Sequence, residues 1–161
     1  MPLDLFHLMK QALSEAEKGS SMGEVPVGAV LASPEGRIVA KAYNQPIALG
    51  DPTAHAEILA IRKAGLFFRN YRLNNTTLVV TLEPCLMCMG AAINARIARL
   101  VFGTVDPKAG AAVSLYNLAE DKRLNHRIEV VSGIMEGECR SLIQNFFRIR
   151  RRKPLPQVMV P

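Results

Sequence analysis

Three side chains of this 161-residue chain carry donor atoms suited to a metal ion. They are His55, in His55-Ala56-Glu57, and the two cysteines of Pro84-Cys85-Leu86-Met87-Cys88. Imidazole nitrogen and thiolate sulfur suit tetrahedral zinc. One His with two Cys supplies three protein ligands and leaves the fourth position for water, the pattern of catalytic rather than structural zinc. Two thiolates roughly offset the charge of the ion, which can still bring a bound water toward a neutral pKa. Glu57 is then surplus to the ligand set and free to carry protons. A lone C-x-x-C also occurs in redox pairs and as half of a four-cysteine zinc site. A redox pair is expected near a strand-to-helix turn, and this one is. It is, however, preceded by Pro84 and matched by a helix-opening His-x-Glu, and no second pair exists to complete a four-cysteine site. The remaining cysteine, Cys139, falls mid-helix and reads as a packed residue. His7 and His126 have no metal-like spacing, and the methionines read as core filler.

These groups need elements that bring them together. Cys85 and Cys88, three apart, share one face of a helix. His55 and Glu57 are two apart, about 200° around a helix, and share a site only if both lie in the first turn and reach over its end. Two helix N-termini would then converge, and their positive dipole ends favour thiolates and a bound hydroxide. The apolar spacing of Leu5, Leu8, Met9, Ala12, Leu13 and Ala16 predicts a first helix stopped by Gly19. Val25 to Ala32 and Arg37 to Tyr43 read as strands of an antiparallel hairpin turned by Ser33-Pro34-Glu35-Gly36. A helix over Ala54 to Ala64, stopped by Gly65, follows. Thr76 to Thr81 is a buried strand, Pro84 to Arg96 a helix, and Arg99 to Thr104 a strand. Ile128 to Ser132 is a fifth strand and Gly137 to Arg151 a last helix. Strands three and four flank a helix and should be parallel with a right-handed crossover. The long link between strands four and five permits another parallel return, with a short helix at Ser114 to Glu120.

The length suits one domain with a real core. No apolar run approaches the ~20 residues that span a bilayer. The N-terminal stretch lacks the charged start, apolar centre and cleavage site of a secretory signal, so a cytoplasmic protein is expected. An odd cysteine count in that setting argues against a disulfide framework. The formal net charge is +6, and Arg148, Arg150, Arg151, Arg152 and Lys153 crowd positive charge into one short stretch. Such a patch suits a polyanionic partner, or is simply a solvated helix end where cations are favoured.

The triplet His55-Ala56-Glu57 with Pro84-Cys85-Leu86-Met87-Cys88 matches H-x-E…P-C-x-x-C, the signature of zinc nucleobase deaminases. Gly23 to Val30, Asp51 to Glu57, Thr81 to Cys85, Asp106 to Ala112 and Phe146-Phe147-Arg148 extend the likeness over nearly the whole chain. The sequence thus resembles the bacterial tRNA-specific adenosine deaminases. The resemblance implies an α/β fold of the three-layer α/β/α cytidine deaminase-like type, with a central five-stranded mixed sheet; one deaminase domain is expected over residues 1–153, and the Pro-rich 154–161 reads as a loosely held tail. It implies one zinc per subunit, a homodimer, and the anticodon stem-loop of tRNA as partner. It further implies that Asn44, Val27, Ala56, Glu83, Pro84, Asp106, Lys108, Phe147 and Arg148 contact substrate, with Arg150, Arg151 and Arg152 on the RNA backbone. Met89 stands where that family commonly has a small residue. The activity expected is hydrolytic conversion of adenosine to inosine at the tRNA wobble position, with Glu57 as proton carrier.

Overall fold

In the computed structural model, residues 2–152 are described; the 154–161 tail and Lys153 lie outside them. Helix α1 (Leu5–Ser21) opens at Asp4, whose carboxylate accepts from the His7 N–H at 2.9 Å. It buries Leu8, Met9, Ala12 and Ala16. Gly19 does not end it. A Cβ there would lie 3.2 Å from the Tyr43 ring, so Gly19 is a close-packing position. The chain turns instead at Gly23, with φ +80°. Strand β1 (Gly28–Ala32) begins later than its β-rich run, because Pro26 has no N–H to pair and Val27 bonds locally to the Val25 carbonyl at 2.8 Å. Strand β2 (Ile38–Tyr43) completes the expected antiparallel hairpin.

A short helix, α2 (Pro46–Leu49), follows, which apolar periodicity is too short to reveal; Gly50, at φ +56°, closes it. Helix α3 (Ala56–Phe68) runs through Gly65 rather than stopping there. Its end is a Schellman closure at left-handed Arg69, with Asn70 N–H on the Gly65 carbonyl and Arg69 N–H on that of Leu66. Strand β3 (Thr77–Leu82), helix α4 (Leu86–Asn94) and strand β4 (Arg99–Thr104) form the expected parallel unit. Strand β5 (Glu129–Ser132) pairs parallel with β4, and α5 (Glu136–Arg152) closes the described chain. The sheet order is β2-β1-β3-β4-β5, a mixed five-stranded sheet. One correction concerns the β4–β5 link: Ser114 to Glu120 forms turns, not a helix. The Leu118 N–H, which a helix from Ser114 would aim at the Ser114 carbonyl, bonds instead to the Ala111 carbonyl at 3.1 Å.

Two cores lie on opposite faces of the sheet. Ala56, Ala60 and Ala64 of α3 and Met89, Ala92 and Ile93 of α4 fill one face, while Leu8, Met9 and Ala12 of α1 with Cys139 of α5 fill the other. The result is the three-layer α/β/α arrangement. Small residues dominate the α3 face, so the helix lies close to the sheet and its N-terminus reaches the end of β3. Met89 is fully buried and supplies bulk that neighbouring alanines lack.

Candidate metal centre and active site

His55 is the N-cap of α3 and Cys85 the N-cap of α4. N-cap side chains usually accept a hydrogen bond from the first helical turn. Neither of these does, so both are free to point elsewhere. They point at each other: His55 Nδ1 is 3.6 Å from Cys85 Sγ and 3.4 Å from Cys88 Sγ. The three donor atoms all lie within 4.8 Å of one another, the one such cluster among the described residues. The two helix starts therefore meet, as the spacing required.

Electrostatics favour a cation there. The neighbouring Cys88 thiol, with His55, holds Cys85 down to about 3, so this sulfur is a thiolate. Cys88, beside that negative charge and more deeply buried, is pushed upward. His55 is raised through its bond to Cys85 against the opposing effect of burial. Two adjacent sulfurs cannot both ionise without positive charge between them, and a divalent ion supplies it. Glu57, in the first turn of α3, is 4% exposed, and its Oε2 has no hydrogen-bond partner. Burial raises its carboxyl to about 7. A buried carboxylate with one free oxygen beside a nitrogen and two sulfurs fits a zinc centre that needs a proton carrier. Cys139, by contrast, is packed under the sheet, and burial pushes its thiol up to about 12.

Asn44 is buried, and its side-chain oxygen accepts from the Ala56 N–H at 2.8 Å, which ties the end of β2 to the first turn of α3. Its amide nitrogen remains available to a ligand. Val27 and Pro84 are buried next to these elements. Glu83 is also buried, but its carboxylate is engaged by the 105–114 loop rather than left free. Burial alone would raise this carboxyl, yet the Ser114 hydroxyl and the backbone N–H groups of Val113, Ser114 and Asp106 hold it below its usual range. Asp106 uses one carboxylate oxygen to accept from Lys108 N–H and Ala109 N–H, and the Lys108 side chain is exposed. Phe147, Arg148, Arg150, Arg151 and Arg152 lie on α5, in the layer across the sheet from α3 and α4. The bonds they make are local: Arg148 to Asn145, Arg151 to the Phe147 carbonyl, and Arg150 over the Phe146 ring at 5.7 Å. The fold does not gather them into the His55 cluster.

Two residues near the site escaped the sequence reading. Glu24 is 1% exposed and accepts from Ile47 N–H and Ala48 N–H, which fixes α2 between Asn44 and His55. It stands in the Gly23-to-Val30 segment of the resemblance, but nothing in the sequence marks its carboxylate as buried. Gly110 bridges to Cys85 across the crossover loop, and no periodicity marks it.

A family model for the zinc-binding region of cytidine and deoxycytidylate deaminases matches residues 4–104. The tRNA-specific adenosine deaminase of Haemophilus influenzae is 47% identical over 146 residues, 91% of this chain and 84% of that protein. Its counterpart in Bacillus subtilis is 46% identical over 145 residues, 90% and 89% of the two chains. A solved structure from work on A-to-I editing by tRNA:A34 deaminases at the wobble position of transfer RNA superposes with a TM-score of 0.82 at 43% identity, covering 84% of this chain and 98% of that one. A guanine deaminase from Nitrosomonas europaea shares the fold, with a TM-score of 0.78 at 20% identity over 91% and 86% of the two chains. On identity, coverage and the ligand cluster alike, this chain belongs to the tRNA-specific adenosine deaminases of the zinc-dependent cytidine deaminase superfamily.

Proposed function

We propose that this chain hydrolyses adenosine to inosine at the wobble position of tRNA. The single observation that carries the reading is the pairing of three converging metal donors with a buried carboxylate, one oxygen of which has no partner. His55, Cys85 and Cys88 hold the zinc. When bound, the ion acidifies and presents the attacking water. Glu57 accepts a proton from that water and passes it to N1 of the adenine ring. Attack at C6 follows. Glu57 then moves the proton of the new C6 hydroxyl to the departing amine, so adenine and water become hypoxanthine and ammonia.

Asn44, Val27, Ala56 and Pro84 line the base, while Asp106 and Lys108 meet the flanking nucleotides; Glu83 acts from behind that loop. Asp106 keeps one carboxylate oxygen free, which suits a 2′-hydroxyl. Phe147, Arg148, Arg150, Arg151 and Arg152 present an exposed cationic face to the anticodon stem-loop. An anticodon loop already splays its bases, which lowers the cost of extruding the target. Residues 1–153 act as one deaminase domain, the enzyme works as a homodimer, and its place is the cytoplasm. No helix of the described residues is long and apolar enough to cross a membrane.

The test is incubation with total tRNA, read by sequencing for adenosine-to-inosine change, beside free adenosine, guanine, cytosine and their nucleosides. Inosine at the wobble position is the expected product. Deamination of the free compounds alone would replace this reading with that of a small-substrate enzyme.

A further inference from the structure

We propose that Glu83 is a positioning residue that makes the substrate loop and the metal-bearing turn one rigid unit; the inference rests on the deaminase reading above. Glu83 is 2% exposed and sits between the end of β3 and the start of α4. Its Oε1 accepts from Asp106 N–H at 3.0 Å and from the Ser114 hydroxyl. Its Oε2 accepts from three consecutive amides: Ala112 at 3.2 Å, Val113 at 2.8 Å and Ser114 at 2.9 Å. Successive N–H groups aimed at one point form an anion nest. Here the chain fills its own nest with a carboxylate.

The same turn is tied to the loop a second way. The Pro84 carbonyl accepts from Ala111 N–H at 2.9 Å, and Cys85 bridges to Gly110. A Cβ at Gly110 would fall 2.5 Å from the Asp106 carbonyl and closer still to the Glu83 carboxyl, so the approach is at its steric limit. Asp106 and Lys108 stand at one end of this loop, and Cys85 follows Glu83 by two positions. Removing the charge therefore displaces the loop without removing a metal donor. An amide at this position must aim its NH2 group at donors whichever way it turns, since both carboxylate oxygens face N–H or O–H groups.

The decisive measurement is amide hydrogen exchange on zinc-loaded protein, with steady-state kinetics on an anticodon stem-loop. In Glu83→Gln, protection at Asp106, Ala112, Val113 and Ser114 should fall roughly 10- to 100-fold, as expected when charge-assisted bonds are lost. KM should rise by a similar factor, with kcat within about 3-fold and zinc content unchanged. Ser114→Ala removes only the hydroxyl and should raise KM by a few fold. Unchanged protection with unchanged KM overturns the proposal, as does loss of zinc in step with activity. If Glu83→Gln does not fold, Ser114→Ala decides, and an unaltered KM with unaltered Asp106 protection overturns it. Should the wild type fail to deaminate the stem-loop, the proposed function falls while the exchange data still test the clamp.

Discussion

Replacing Glu57 by Gln separates chemistry from stability. The carboxyl is 4% exposed, one oxygen lacks a partner, and burial raises it from 4.5 to about 7. With the folded value above the unfolded one, the folded chain keeps a proton that the unfolded chain has released. The stabilisation is complete below about pH 4.5, falls as pH rises toward about 7, and is level above that. At 1.36 kcal/mol per pH unit, that interval is worth about 3 kcal/mol to the metal-free protein. Glu57→Gln abolishes this titration. Its amide leaves a polar group unpaired at a cost of roughly 1–3 kcal/mol, but that cost is the same at every pH. The difference in unfolding free energy between variant and wild type should therefore move in the variant's favour by about 3 kcal/mol between about pH 4 and about pH 8. With a urea m-value of ~2 kcal/mol/M, the separation of the midpoints changes by about 1.5 M. Urea titrations of chelator-treated protein at the two pH values measure it, with His55→Ala as a common background, since the Glu57 charge also raises His55. Zinc-loaded Glu57→Gln should keep its metal and lose deamination by roughly 10²- to 10⁴-fold. A pH-independent difference, or a variant as active as wild type, refutes Glu57 as a buried proton carrier.

Cys88→Ala leaves the cluster with two donors, so bound zinc should drop far below stoichiometric by metal analysis; full zinc retention would remove Cys88 from the ligand set. Neutralising Arg150, Arg151 and Arg152 together should reduce the slope of log affinity for the stem-loop against log salt by about 2–3, with little change in zinc content. An unchanged slope would make the cluster a solvated helix end. Gly28→Ala places a Cβ 2.5 Å from the Ala16 nitrogen and closer to the Ala12 carbonyl, forcing α1 off β1. Destabilisation of roughly 3 kcal/mol, the upper end for overpacking, should lower Tm by about 6–12 °C in calorimetry. A wild-type Tm would mean the helix accommodates the methyl freely.

Much of this protein was legible in order of residues alone, because the relevant physics is local. Donor chemistry at His55, Cys85 and Cys88 is a property of residue type and spacing, and each falls at a helix start marked by a break in apolar patterning. The five strands follow from runs rich in β-branched and apolar residues, α1 from a 3.6-residue apolar period, and α3 and α4 from residues that open or stop helices. Helix ends did not follow. Gly19 and Gly65 look like stops, yet one is small to admit the Tyr43 ring and the other sits a turn before a closure built on Arg69.

What only the folded chain decides is long-range. The distance of 3.4 Å between an imidazole nitrogen and a sulfur 33 residues away depends on how closely an alanine-faced helix lies on the sheet, not on either motif. Glu24 and Glu83 are two carboxylates among many in the sequence; burial, and the backbone amides that each meets, set them apart. A would-be helix at Ser114 to Glu120 gives way because the Leu118 N–H finds the Ala111 carbonyl in place of the one a helical turn back. Local patterning determines which elements exist and which groups can react; the competition for buried hydrogen-bond partners, settled in three dimensions, determines where those groups point.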